Sequence, residues 1–401
     1  MPADFPDSVA KEYLPFSVYS AISATSMTAM TFLSTQALFV ALGGSTTQSQ
    51  IASAAYTWVL KDGLGQLGGI LFASRYGTNF DEDIKKWRFM SMAALNLSIY
   101  IEIMTLKFPS HFLLLASIAN VGKNICWLLA SASRGSINMR FAKRNNMGDI
   151  TGKSVSQFTT SSLLGMGCGM ALTSLINVSS ITQLCPACMA LTSIGMAATY
   201  KSASIIDEIY LNNSRAKILL DHYFDNDKEV LSVAQVNAKE SFILPNFANR
   251  QKCNYVRFGE REIQKVLTDE NENNLTKSVW LQMEKPDRKF VYHVEILDGY
   301  KQSFNFFTSN SRPYIIHLNV HHLATDKDIL ESYYFARLLD FQLQKVFAHN
   351  PTYFTVEHAI RASEWQFLNE FDIGTFCDEL KAKEWSLDYV YLEHKKNRYS
   401  V

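Results

Sequence analysis

Charge is what the first half of this chain lacks. Residues 1–200 hold 13 Lys and Arg and 9 Asp and Glu, 22 in all. A water-soluble stretch of that length carries about 50, at the usual one charged residue in four. The deficit is concentrated, because residues 13–60 and 154–200 contain no Asp, Glu, Lys or Arg. An ion at the centre of a bilayer costs about 2.5–3.5 kcal/mol, whereas a helix in water needs a solvated face. The deficit therefore favours lipid as the solvent, with a mostly buried soluble bundle as the competing account. Cysteine is scarce too: six in 401 residues exclude a disulfide-dense scaffold. Nine Pro and 18 Gly exclude collagen-like and low-complexity chains. The 38 basic residues equal the 38 acidic ones, which leaves no footprint for nucleic acid. There is no Walker loop, dinucleotide fingerprint or HExxH pattern, so neither a cofactor nor enzymatic activity is expected.

What is present divides in two. Residues 201–401 carry 25 basic and 29 acidic side chains, the density of a soluble domain. The expected fold is mainly α: a multi-pass membrane bundle of about six helices over 1–206, then a soluble α+β domain over 207–401. Six segments have the roughly 20 residues that one helical crossing requires: 17–42, 49–74, 88–106, 109–133, 155–178 and 184–206. Segment 17–42 contains ten Ser, Thr and Gln, which points to helices packed on one another through small and hydroxyl side chains. Gly65/Gly69 and Gly165/Gly169 have the spacing for close backbone approach.

Alternating helices distribute the basic residues unevenly. One side receives Lys11, Arg75, Lys85, Lys86, Arg88, Arg134, Arg140, Lys143, Arg144, Lys153, Arg215 and Lys217, and the other only Lys107. Basic residues stay on the cytoplasmic side during insertion, so both termini are expected there, in an intracellular membrane. The opening Met-Pro-Ala-Asp-Phe-Pro-Asp is acidic and polar, unlike a signal peptide. The first hydrophobic helix is then expected to act as the insertion signal.

Four blocks resemble the Root UVB Sensitive (RUS) family. They are Phe5-Pro6-Asp7-Ser8-Val9 with Tyr13-Leu14-Pro15; Trp58-Val59-Leu60-Lys61-Asp62-Gly63 with Gly65 and Gly68; Lys86-Trp87-Arg88; and Phe141-Ala142, Asn145-Asn146-Met147, Asp149, Lys153 and Ser156-Gln157. The chain departs from the family pattern at Gly148, where most members have Ala, and at Arg140, where many have His before Phe141. The resemblance covers residues 5–200 strongly. It implies a eukaryotic multi-pass membrane protein with no catalytic activity assigned to its fold. Plant members are associated with seedling development, UV-B responses, vitamin B6 homeostasis and organelles.

Ionisable residues at membrane depth are expected to pair or to line a solute path. Lys61, Asp62, Glu102 and Lys123 are such residues, with Asp62–Lys123 and Lys61–Glu102 as expected pairs and Asn120 and Asn124 on the Lys123 face. They are the candidate solute-binding residues. A second candidate set, Arg140, Lys143, Arg144, Asn145, Asn146, Asp149 and Lys153, lies in what reads as a basic loop over 134–153. Asn145-Asn146-Met147-Gly148-Asp149 within it reads as a turn or helix start, and the loop offers either an anion site or contact with lipid headgroups. Cys185-Pro186-Ala187-Cys188 opens an apolar helix and reads as structural. His317 and His321 lack the partners for a metal site.

In the second half, 253–258, 278–283, 289–296 and 313–320 read as strands. Residues 326–347, 355–373 and 376–385 read as helices, with a cap at Thr325. The functional expectation is a non-enzymatic membrane protein that handles a small solute, with a link to vitamin B6. A scaffold whose C-terminal domain recruits a protein partner or a family paralogue is the alternative, and an enzyme built on residues 140–153 ranks last.

Overall fold

The chain divides into two compact units, Met1–Ile206 and Asp207–Val401. A computed structural model describes residues 1–43, 48–77, 80–226, 228–242, 255–259, 279–281, 289–296, 314–348 and 353–392. The protein is mainly helical.

In the first unit six helices follow one another: α1 (Tyr13–Ala41), α2 (Gln48–Tyr76), α3 (Ile84–Met104), α4 (Phe112–Phe141), α5 (Met147–Leu175) and α6 (Ile181–Ser204). α1 ends where Gly43 takes φ of 65° and the Gly43 amide bonds to the Val40 carbonyl at 3.1 Å, the left-handed stop that glycine permits. Pro109 opens a single 3-10 turn before α4, a position where its missing N–H costs nothing. α1 packs against α5, α6 and α3, and α4 packs against α3 and α2. At 29 residues, α1 is about 44 Å long at 1.5 Å per residue.

Two corrections to the sequence reading concern α4 and α5. The first continues to Phe141 rather than 133, and the second starts at Met147 rather than 155. Arg134 and Lys153 were taken to end the spans because lipid disfavours charge. A helix backbone, however, is indifferent to the boundary between lipid and water. The expected loop 134–153 is therefore a short link over 142–146. Arg140 sits on α4, whereas Asp149 and Lys153 sit on α5. The turn or helix start expected over 145–149 is found: Asn145 takes a left-handed φ of 55° and a helix begins at Met147.

The buried stripe of α2 is Lys61, Gly65 and Gly69, and that of α5 includes Ser161, Gly165 and Gly169. Both repeat every four residues, which is one helix face. A Cβ on Gly165 would stand 2.5 Å from the Thr25 carbonyl oxygen, and one on Gly68 would stand 2.6 Å from Val121. The glycines therefore set how closely α5 approaches α1 and α2 approaches α4. Large apolar side chains lie on the outside: Val59 is 69% exposed, Leu71 69%, Leu164 62% and Leu175 79%. Two stretches, Pro109–Phe141 and Ile181–Ser204, are long and apolar enough by composition to cross a membrane. The other helices fall short: hydroxyl residues dilute α1 and α5, and charged residues interrupt α2 and α3.

The second unit mixes helices and strands. β2 (Val256–Phe258), β3 (Val279–Leu281), β4 (Phe290–Ile296) and β5 (Tyr314–Val320) form a sheet in the order β2-β5-β4-β3, with β2–β5 parallel and the other pairs antiparallel. A second, parallel pair joins β1 (Tyr210–Asn212) to β6 (Ser386–Tyr391). The helices are α7 (Asn213–Asp225), α8 (Val233–Lys239), α9 (Asp326–Phe347), α10 (Tyr353–Glu370) and α11 (Ile373–Ala382). The four expected strands are found within the described parts of their ranges; 253–254, 278, 282–283 and 313 lie outside the described residues. The expected helix 376–385 is displaced to 373–382 because the Asp372 side chain accepts from the Gly374 and Thr375 amides, which starts the helix earlier. Thr325 caps α9 reciprocally with Asp328. The core is aromatic, with Tyr292, Tyr314, Tyr333, Phe335 and Phe367 each at most 1% exposed.

Candidate functional site

The six expected solute residues come together in the contact between α2, α3 and α4, but not in the expected pairs. Lys61 Nζ lies 2.5 Å from Asp62 Oδ1, and Lys123 Nζ lies 2.5 Å from Glu102 Oε2. Neighbouring residues on a helix point about 100° apart, so Lys61 and Asp62 meet only because the long lysine chain bends back. The Lys61 ammonium also lies 4.5 Å over the Trp58 ring, a cation–π contact. Asn120 donates to Asp62 Oδ1 at 3.0 Å and to the Lys61 carbonyl at 3.2 Å, while Asn124 donates to the Asn120 carbonyl at 2.8 Å. Each charge therefore has an opposite neighbour, and the amides pack over Gly65 and Gly69. The arrangement joins helices without leaving a charge unmatched.

The second set surrounds the α4–α5 link, and the first residues of the chain are fastened to it. Val9 and Ala142 form an antiparallel bridge. The Ala10 amide donates to the Phe141 carbonyl at 3.1 Å, and the Lys143 amide to the Ser8 carbonyl at 3.4 Å. Asn146 also donates to the Ser8 carbonyl, at 3.1 Å, and Asp149 accepts from the Ala3 amide at 2.7 Å. Arg144 lies 3.7 Å from Asp4. Lys153 is exposed, as are Lys143, Arg144 and Asn145, and Arg140 is half-buried. Asn146 and Asp149 thus hold the N-terminal segment in place.

Between these two clusters a cavity of about 100 Å³ opens into the basic end of the bundle. That is well above the roughly 10–15 Å³ that admits one water molecule, so it is more than a packing defect. Its walls come from the starts of α1, α3 and α5 and the later turns of α4 and α6: Tyr13 and Ser20 from α1, Arg88 from α3, Arg134 from α4, Gln157 from α5 and Thr199 from α6. Arg88 donates to Ser20 Oγ at 2.9 Å and Ser202 Oγ at 3.3 Å, with its guanidinium 4.9 Å from the Phe16 ring. Arg134 lies 5.1 Å over the Phe158 ring. Among the described residues no carboxylate pairs with either arginine.

None of the candidate solute-binding or anion-site residues lines this cavity. From sequence, Arg88 and Arg134 carry part of the charge bias that orients insertion, and Arg88 belongs to the third family block. No sequence-local signal separates them: Arg88, Arg134 and Lys123 all lack an acid within three or four positions on their helices, yet Lys123 finds Glu102 on another helix. Gln157 donates to the Tyr13 hydroxyl at 3.2 Å, and Tyr13 stands edge-on to Phe141 at 5.6 Å. The cavity is therefore lined by residues from three of the four sequence blocks: Tyr13 from the first, Arg88 from the third, and Phe141 and Gln157 from the fourth.

A helical bundle with an N-terminal segment clamped to its fourth and fifth helices, followed by a separate unit of helices and strands, defines a mainly helical two-unit protein. Residues 1–227 match the family described as the vitamin B6 photo-protection and homoeostasis domain. The chain belongs to this root UVB sensitive (RUS) family. It is 28% identical over 289 residues to RUS family member 1 of Dictyostelium discoideum, covering 69% of this chain and 54% of that protein. Protein root UVB sensitive 3 of Arabidopsis thaliana is 30% identical over 248 residues, covering 62% of this chain and 56% of the relative. Protein root UVB sensitive 5 of the same plant is 25% identical over 397 residues, which is 96% of this chain and 72% of the relative. The chain spans about half the length of the first two relatives. No solved structure matches it.

Proposed function

We propose that residues 1–206 form a six-helix integral membrane bundle, and that the protein handles a small solute, without catalysing its conversion, in the service of vitamin B6 homoeostasis. The observation that carries this reading is the apolar outer face of the first unit. Leucine, valine, isoleucine and methionine cover much of its outside, while serine and glycine share the interior with Met30, Leu33, Leu95 and Ile99. In water such an outside would associate or precipitate; in hydrocarbon it is the natural surface, and small residues are what let helices pack there. The alternation of basic and non-basic ends supports an intracellular membrane with both termini on the cytosolic side. The cavity at the basic end supports a solute, and the family description supports the vitamin B6 connection.

The deciding measurement is alkaline carbonate washing of membranes from cells expressing the untagged chain. Retention in the pellet is expected, and release into the supernatant overturns the membrane reading. Proteoliposomes loaded with B6 vitamers then test handling, with exchange above that of empty liposomes expected. Chemical turnover of a vitamer during the same assay would replace the non-enzymatic reading.

A further inference from the structure

We propose that Arg88 and Arg134 bind the phosphate of a small phosphorylated solute carrying an aromatic ring, inside the cavity formed by α1, α3, α4, α5 and α6. The proposal rests on the solute-handling reading above and names the chemistry of the solute. Its first support is charge. Two guanidinium groups line one cavity, and among the described residues no carboxylate answers them. Both are half-buried, and like charges partly withdrawn from water are stabilised by a counter-charge. Lys61 and Lys123 in the same bundle each have one within 2.5 Å, so the missing anion is specific to this cavity. A phosphate monoester carries about −1.5 to −2 charges near neutral pH, which matches two arginines better than one carboxylate does.

Donor geometry is the second support. A guanidinium offers five N–H donors in a planar fork that fits phosphate oxygens. Arg88 commits donors to Ser20 and Ser202; Arg134 makes no hydrogen bond among the described residues, and its ring contact with Phe158 leaves its edge available. The Tyr13 hydroxyl accepts from Gln157, which leaves its own proton free to donate into the cavity. The third support is the set of rings. Phe16 and Phe158 hold the two guanidinium groups by their faces, and Trp127 stands edge-on to Phe158 at 5.8 Å and is 46% exposed. A flat ring attached to the phosphate has aromatic neighbours at the mouth.

The test uses the full chain purified in neutral detergent, with pyridoxine 5′-phosphate as probe. This vitamer has no aldehyde and so forms no Schiff base with lysine. Calorimetric titration should show binding that inorganic phosphate competes away, with pyridoxine itself at least about tenfold weaker, the loss expected when a charge-assisted hydrogen bond is removed. Arg134→Gln should weaken the phosphorylated probe by about tenfold or more on the same grounds, with Arg134→Lys intermediate. Arg134 makes no hydrogen bond to the rest of the bundle, so its variants should keep the wild-type melting profile. Adding Arg88→Gln should remove what binding remains. Equal binding of pyridoxine and its phosphate overturns the proposal, as does wild-type affinity in a folded Arg134→Gln variant, or no binding at all by the folded protein. Retention of phosphatidic acid through Arg134, with the free phosphate ester inert, overturns it in favour of a lipid headgroup site. A chain that stays in carbonate-washed membranes but ignores the probe loses this site alone. One that washes off yet binds the probe through Arg134 keeps the site and loses the bilayer.

Discussion

The two units of this protein differ in their outer faces. In the first, Ser23, Ser26, Ser34 and Ser161 with Gly165 and Gly169 are buried beside Met30, Leu33 and Ile99, and large apolar residues such as Leu71, Leu164 and Leu175 face outward. In the second, the apolar core is Tyr, Phe, Leu, Ile and Val. A side chain goes where its transfer is least costly, so the proposed bilayer around the first unit would account for that outer face. The units also treat buried charge differently. The first matches Lys123 with one acid, Glu102. The second surrounds a fully buried Arg215 with Glu208 at 3.9 Å and Glu240 at 3.0 Å, and sets Arg337 between Asp221 and Asp340.

The largest expected effect comes from breaking one such pair. Glu102→Ala leaves Lys123 without its carboxylate, and removing one partner of a buried ion pair costs roughly 3–5 kcal/mol. Full-length protein in detergent should lose most of its folded fraction by size exclusion and melt far lower. The double replacement Glu102→Leu with Lys123→Met should recover most of that stability. Failure of solute handling in a stable double variant would return these residues to a functional role. The next effect compares two equally exposed leucines. Leu164 is 62% exposed in the first unit and Leu323 64% exposed in the second. Arginine at 164 should reduce membrane insertion by about 2.5–3.5 kcal/mol, whereas arginine at 323 should stay within about 0.5 kcal/mol of wild type. Equal tolerance at the two positions would erase the solvent difference between the units.

A smaller effect is expected from glycine. Gly165→Leu drives a side chain into the Thr25 carbonyl, which is backbone and cannot rotate away. The cost should be about 1–3 kcal/mol, read as a lower melting temperature. Gly152→Leu on the same helix, with nothing within 4 Å of its Cβ, should leave the melt unchanged.

Much of the helical layout was legible because glycine and proline mark helix ends. The Gly43 stop and the Pro109 turn lie where the sequence breaks, and Gly65/Gly69 and Gly165/Gly169 make the close approaches their spacing implies. Side-chain pairing was less legible. Glu102 and Lys123 are separated by a helix turnover that sequence spacing does not encode, and the short link over 142–146 was obscured by treating every charge as a boundary. The cavity was hidden for a related reason. Its walls come from five helices, so no local window brings Arg88 and Arg134 together. β1 and β6, three and six residues long, went unread because a short parallel pair has no turn or alternation to announce it.

The smallest effect concerns pH and lies wholly in the second unit. Burial works to raise the Asp221 carboxyl, but Arg337 and Lys217 outweigh it and hold it below the ordinary aspartate range. Burial likewise opposes Asp328, and the hydrogen bonds from Thr325 together with Lys289 bring it below that range. A carboxyl whose folded pKa lies below its unfolded one contributes stability that is complete above the unfolded value and is lost as pH falls through the folded one. The loss therefore begins below about pH 4, the unperturbed aspartate value. Hydrogen exchange of the full chain should show the first turns of α9 opening there, while the charge-free middles of α1 and α5 keep their protection. Asp328→Ala removes the reciprocal cap, which is worth about 1 kcal/mol, and should raise exchange in that turn at neutral pH while flattening its acid response. Unchanged exchange in the variant would mean that packing of α9 on β5, not its cap, sets the stability of that end.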